Sequence, residues 1–218
     1  MSRILFVATS ASKSLLGAPT GYFLPEAAHP YYILSPHFAI DIATPSGTKP
    51  PLDPASVEFS KGDEAFLESA KPLSAVNPDD YIAVFYVGGH GPVIDLATDE
   101  TNIQLANKFY RDGKLVSAVC HGTAALVGVT GVDGKSIFYG KTVTGFSNAE
   151  EEQIGKVKVK RHVCQSSVAI PTGEFQDIPF LLEDRIPTLG GTNLITGQNP
   201  GSSGPIAQEV LKTLLAKS

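Results

Sequence analysis

Short apolar runs bounded by turn residues recur along the chain, at Ile4–Ala8, Phe38–Ala43, Ile82–Val87, Leu115–Val119 and Leu194–Thr196. Between them the apolar positions change period. After Asp99, a residue type suited to capping, Ile103, Ala106, Phe109 and Tyr110 share one face of a helix that stops near Gly113. Ser202 or Ser203 is placed to cap a last helix whose buried stripe is Ile206, Val210, Leu211, Leu214 and Leu215. Strands that are apolar throughout, separated by helices, predict a mostly parallel sheet with helices on both faces, a three-layer α/β sandwich.

The chain has 218 residues, of which 42% are hydrophobic, enough for one domain spanning 1–218 with a sizeable core. Its formal net charge is −5 and its basic run is the short Lys156 to Arg161 segment, so no nucleic-acid partner is expected. Two cysteines, Cys120 and Cys164, argue against a disulfide framework and fit a reducing compartment. Met1-Ser2-Arg3 leads directly into an apolar run too short for a signal peptide or a membrane span. The expectation is a soluble cytoplasmic protein, with the nucleus as a second compartment and no membrane partner.

In a parallel sheet the reactive groups gather where strands end, so the residues that follow each run carry the chemistry. Leu115–Val119 runs into Cys120-His121-Gly122 and then an apparent helix start, an elbow that holds a side chain proud of the sheet. Helix N–H groups would favour the Cys120 thiolate, His121 sets a base beside the sulfur, and Gly122 permits the tight backbone. Against this, a lone cysteine at the end of an apolar strand commonly just packs. Ile82–Val87 runs into Gly88-Gly89-His90-Gly91, whose glycines let backbone N–H groups approach a substrate oxygen, or else form a plain turn.

Two carboxylate segments complete the candidates. Glu26 lies among apolar residues in Tyr22-Phe23-Leu24-Pro25-Glu26-Ala27-Ala28-His29-Pro30. If buried, it stays protonated and exchanges protons with a thiolate or substrate; otherwise it is an ordinary first-turn glutamate. Val143-Thr144-Gly145-Phe146 reads as a strand end leading into Ser147-Asn148-Ala149-Glu150-Glu151-Glu152, a capped acidic helix start. Such clusters usually face solvent, but one of these glutamates can orient His121 by accepting its ring N–H.

Together, Gly88-Gly89-His90-Gly91, Ala118-Val119-Cys120-His121-Gly122 and the Glu26 segment resemble the ThiJ/PfpI superfamily, with its glutamine-amidotransferase-like, flavodoxin-type sheet. The branch resembled is that of the glutathione-independent glyoxalases, also called glyoxalase III or D-lactate dehydratase, which includes stress-induced heat-shock chaperones. The similarity runs from Arg3 to about Glu152 and resumes from Ile178-Pro179-Phe180-Leu181-Leu182-Glu183 through Asn199-Pro200-Gly201-Ser202-Ser203. The stretch at about 154–176, which includes Cys164, departs from the pattern and has no assigned role.

The resemblance implies Cys120 as nucleophile, His121 as base, Glu26 as the acid contacting the sulfur, and Glu151, with Glu150 as rival, as third member of the triad. It also implies an oxyanion site from Gly88, Gly89 and His121, a small dicarbonyl substrate such as methylglyoxal or glyoxal, and a homodimer. The implied reaction takes methylglyoxal to D-lactate through a Cys120 hemithioacetal. No metal or organic cofactor is expected, and the five histidines show no metal-ligand spacing. The alternatives are a holdase chaperone, a protein deglycase, or a redox sensor in which Cys120 is oxidised. A glutamine amidotransferase would need an H-x-E pair downstream of the cysteine, where only His162-Val163-Cys164 occurs.

Overall fold

The computed structural model describes residues 1–59, 67–141, 143–155 and 193–217. The atypical stretch from residue 156 onward, Cys164, the Lys156 to Arg161 segment and Ile178–Glu183 lie outside the described residues. In chain order the described elements are β1 (Arg3–Val7), α1 (Leu24–Leu34), β2 (Ala39–Thr44), α2 (Pro54–Phe59), β3 (Lys71–Pro72), β4 (Ala83–Tyr86), α3 (Gly91–Ile94), α4 (Glu100–Arg111), β5 (Leu115–Val119), α5 (Asn148–Gln153), β6 (Leu194–Gly197) and α6 (Ser203–Leu215). The strands form one six-stranded sheet in the order β3-β2-β1-β4-β5-β6, with every pairing parallel. This is the expected flavodoxin-like sheet, with the two-residue edge strand β3 too short to show a pattern in sequence.

Both faces of the sheet are buried, which is why the strand runs are apolar without alternation. Along β1, Ile4 and Phe6 join a core with Leu24, Ala27 and Leu34 of α1 and Ile206, Val210 and Leu214 of α6. Leu5 and Val7 point the other way, into a core with Leu105, Ala106 and Phe109 of α4. The Phe6 and Phe85 rings stack at 5.0 Å within the first of these.

The helix over Glu100–Arg111 begins as expected, with Asn102 N–H donating to Asp99 Oδ1 at 2.7 Å. The last helix differs in two respects. Ser202 occupies its N-cap without capping through its side chain, because its hydroxyl accepts the Gln198 N–H at 3.1 Å; the Ser203 hydroxyl donates backward to the Pro200 carbonyl. Leu215 is 52% exposed and lies off the buried stripe. Val143 to Phe146 joins no strand of the sheet among the described residues; it docks beside β6, where the Thr144 N–H donates to Thr196 Oγ1 at 3.0 Å.

Strand order reverses direction of travel at β1 and β4: the chain leaves β1 for β2 on one side and later enters β4 on the other. In open α/β sheets the crevice at the carboxyl ends beside such a point takes ligands. The ends of β4 and β5 carry Gly88-Gly89-His90 and Cys120-His121 to that edge.

Candidate active site

Cys120 has φ 56°, the one non-glycine residue with positive φ among the described residues. An L-residue held there costs on the order of 1–3 kcal/mol and persists only where surrounding packing enforces it. The segment that follows, Cys120–Leu126, is a 3-10 helix rather than the start of an α-helix. The elbow is therefore made by the strained cysteine itself. Gly122 serves close packing: a Cβ there would lie 2.6 Å from the Tyr86 carbonyl oxygen.

Gly88 is needed for a similar reason. A Cβ at Gly88 would sit 2.1 Å from Glu26 Oε2, 2.6 Å from the Val119 carbonyl oxygen and 2.8 Å from Cys120 Cβ. That one missing methyl group is the space in which a carboxyl group and a sulfur from distant parts of the chain approach each other. Glu26 reaches it from the first turn of α1, and its side chain is fully buried.

On the other side of the sulfur, Sγ lies 3.3 Å from His121 Nδ1, and His121 Nε2 lies 2.5 Å from Glu151 Oε1. The second Glu151 oxygen faces His90 Nε2 at 3.4 Å. Both imidazoles stack close, with centroids 4.2 Å apart, and Phe146 packs on His121 at 4.6 Å. Glu150 and Glu151 are 1% exposed, not solvent-facing.

The two adjacent glutamates are separated by what each one holds. Glu150 Oε2 accepts the Ser147 N–H at 2.7 Å while Ser147 Oγ accepts the Glu150 N–H at 3.2 Å, a capping box, and Glu150 Oε1 accepts from Asn199 Nδ2 at 2.8 Å. Both Glu150 oxygens are thus committed to holding the helix start and the loop at Asn199. Glu151, one position on, is the acid turned toward His121.

Electrostatics sort these groups. Burial alone would push Glu151 up, but hydrogen bonds and charge from His121 and His90 outweigh it and hold the carboxyl at about 2, so it is ionised at neutral pH. An ionised acceptor at Nε2 holds a ring proton there, so in the neutral form of His121 it is the Nδ1 lone pair that faces the sulfur. Burial raises Glu26 to about 8, against smaller opposing effects from the Cys120 thiol and the Gly89 N–H, so it is mostly protonated at neutral pH. Neither Glu26 oxygen has a partner of full hydrogen-bond geometry among the described residues, which leaves the carboxyl free to give or take a proton.

Cys120 departs from the expectation of a depressed pKa. Burial, and then the Glu26 carboxyl beside it, push its thiol well up, against weaker help from the His121 and Gly89 N–H groups. The physical reason is that a 4% exposed sulfur has lost its water, and a 3-10 turn offers no long helix dipole to compensate. The resting group is a thiol with an acceptor, His121 Nδ1, in reach. Both backbone N–H groups expected to bind an oxyanion, those of Gly89 and His121, point toward the sulfur.

Every site residue expected from sequence therefore meets at one place: Glu26, Gly88, Gly89, Cys120, His121 and Glu151. His90 belongs beside them and had no assigned role, since nothing in Gly88-Gly89-His90-Gly91 signals that its ring will meet a glutamate 61 residues away.

Comparison with known proteins gives the same picture over most of the chain. The model of the DJ-1/PfpI family matches residues 20–213. The glutathione-independent glyoxalase HSP31 of Saccharomyces cerevisiae is 30% identical over 91% of this chain and 91% of its own length. Glyoxalase 3 of Candida albicans is 27% identical over 97% and 98%, respectively. Among solved structures, the Rapid Encystment Protein 24 KDa of Francisella tularensis superposes with a TM-score of 0.85 at 28% identity, covering 98% of this chain and 99% of that one. Glyoxalase III of Candida albicans superposes with a TM-score of 0.76 at 25% identity, covering 97% and 96%.

Proposed function

The chain belongs to the DJ-1/PfpI family, and from that premise we propose that it works as a glutathione-independent glyoxalase, isomerising and hydrating methylglyoxal to D-lactate on Cys120. The observation that carries this reading is the position of one strained sulfur between two proton carriers of opposite character, the ionised Glu151–His121 pair and the protonated Glu26.

The steps follow from those protonation states. His121 Nδ1 accepts the thiol proton as Sγ bonds to the aldehyde carbon C1, and Glu26 gives its proton to the C1 oxygen, leaving a hemithioacetal, an imidazolium and a Glu26 carboxylate. The carboxylate removes the C1 hydrogen. The electron pair moves into the C1–C2 bond, and the C2 oxygen takes the imidazolium proton to give an enediol. Glu26 then protonates C2 while His121 removes the C1 hydroxyl proton, which converts the adduct to a lactoyl thioester. Glu26 carboxylate next draws a proton from water as its oxygen attacks C1, and the sulfur leaves with the imidazolium proton. The starting protonation states are restored, and the lactic acid ionises.

In this scheme the Gly89 and His121 amides stabilise the oxygen charge at each addition. Glu151 holds the ring tautomer and balances the imidazolium without taking the proton itself. The same reading carries a homodimer and a cytoplasmic location as further proposals; among the described residues no helix is long and apolar enough to cross a membrane. A redox-sensing role is disfavoured by the buried, high-pKa sulfur, because sensor thiols are exposed and acidic.

The test is D-lactate formation from methylglyoxal in glutathione-free buffer, by wild type and by Cys120→Ala, with folding of both verified by circular dichroism. Turnover confined to the wild type is the expected result. No turnover by folded wild-type protein sinks the proposal.

A further inference from the structure

We propose that His90, His121 and Glu151 form a binding site for a zinc-class divalent cation, and that an ion bound there turns the catalytic histidine off. The three residues come from three places in the chain, the loop after β4, the turn after β5 and the first turn of α5, and their ligand atoms lie within 4.8 Å of one another. Two imidazoles and one carboxylate, with a remaining position for water, are a donor set that suits zinc. Nothing in the sequence spacing announces it, because no two of the three are helix neighbours.

The ligand atoms are near enough for an ion once the glutamate side chain turns. Bonds of about 2.0–2.1 Å in tetrahedral geometry put donor atoms roughly 3.3 Å apart. His90 Nε2 and Glu151 Oε2 already stand at 3.4 Å. His121 Nε2 faces the other oxygen, Glu151 Oε1, at 2.5 Å, so the carboxylate must turn to present one oxygen to both imidazoles, and the His121 contact must open by about 0.8 Å to reach that tetrahedral spacing. Phe146 packed on the His121 ring keeps that ligand oriented, and the His90 side chain, 12% exposed, is the edge from which an ion enters. The carboxylate supplies the negative charge, and no proton transfer in the mechanism above uses His90.

The consequence for catalysis lies in the tautomer. In the neutral ring that the proposed mechanism starts from, the His121 proton sits on Nε2 against Glu151, and Nδ1, 3.3 Å from Cys120 Sγ, presents its lone pair to the sulfur. A cation takes the Nε2 lone pair, so the ring proton moves to Nδ1 and the face that accepts the thiol proton becomes a donor. No bond to sulfur is needed, because Sγ lies beside the opposite ring nitrogen. Inhibition of this kind rests on the proposed base role of His121; binding of the ion does not.

Zinc chloride titrated into Cys120→Ala, in competition with a chromophoric chelator, tests the site without a thiol present. One ion per chain is expected, with affinity weakened roughly tenfold or more in Cys120→Ala/His90→Gln and in Cys120→Ala/His90→Ala. Thermal melts of the metal-free variants identify any that fail to fold, and a folded one of the two suffices. Binding by wild type but not by Cys120→Ala would place the ion on the sulfur and overturn the proposal, as would equal binding with and without His90. In wild type, lactate formation should fall in step with occupancy and return on adding a chelator. An enzyme inactive from the start would defeat the glyoxalase reading while leaving the binding result to decide the site.

Discussion

His121 and Glu151 meet at 2.5 Å across 30 residues of chain, while Glu150, one position earlier, faces away to cap its own helix and hold Asn199. Two neighbouring carboxylates with equal burial thus carry separable duties. Glu151→Gln should lower kcat by about 10²–10⁴, since the amide no longer fixes the Nε2–H tautomer and no longer balances the imidazolium. Glu150→Gln should leave kcat within a few-fold and cost about 1 kcal/mol of stability through the weakened capping box. Steady-state kinetics and urea unfolding on the two variants separate these outcomes; equal losses of kcat would refute the division of labour.

Glu26 ties function and stability to pH in a defined direction. Its folded pKa of about 8 lies above the ordinary 4.5, so the native state binds more protons than the unfolded state between those values. Stability therefore declines from this group as pH rises from about 4.5 to 8, and Glu26→Gln should remove that slope and become the more stable protein at pH 8. The reaction starts from the protonated carboxyl, so wild-type kcat/KM should fall above about pH 8. Denaturant melts across pH, with kinetics on wild type, measure both; a wild-type stability that rises through this window would contradict the buried, neutral carboxyl.

Glu151 has the opposite sign. Its folded pKa, about 2, lies below the ordinary value of 4.5, so its stabilising contribution is present above pH 4.5 and lost as pH falls toward 2. Glu151→Gln should flatten the acid limb of the stability curve. An unchanged acid limb in folded Glu151→Gln would show that the pair with His121 contributes nothing to stability.

The Cys120 backbone separates strain from chemistry. At φ 56°, glycine is at ease and alanine is not, so Cys120→Gly should unfold at higher urea than Cys120→Ala, by about 1 kcal/mol. Neither should form lactate. An alanine variant as stable as the glycine one would mean that the turn relaxes once the sulfur is gone.

Gly88 is where the site is least tolerant. Gly88→Ala places a methyl group 2.1 Å from Glu26 Oε2 and 2.8 Å from Cys120 Cβ, so one of the two must move. Since a shift of about 1 Å at a reacting group costs on the order of 10²-fold in rate, turnover should fall at least that far even where the variant folds. Near-normal activity in Gly88→Ala would show that Glu26 and Cys120 need not be held this close.

How far the sequence reached is clearest residue by residue. All strands but the two-residue edge strand β3 were legible because a sheet covered on both faces reads as nearly continuous apolar runs, and α4 because Asp99 caps a 3.6-residue period. Cys120, His121 and Glu26 were legible through their local segments and the family pattern they form. Glu151 was picked out by the family pattern alone, with Glu150 as rival; local sequence could not separate them, because consecutive residues of one helix differ in direction by about 100° and only the packed helix decides which one meets the histidine.

Sequence by itself determined most of the sheet through its local period and the turn at Cys120 through its turn chemistry, while the family pattern pointed to Cys120 as the nucleophile. Tertiary structure alone decided the acidities and the company the site keeps. Burial pushes the Cys120 thiol up where a helix start would have pulled it down, and holds Glu26 protonated. Folding also brings His90 to Glu151 across 61 residues. Desolvation and contact between distant segments are properties of the assembled interior, and no window of sequence contains them.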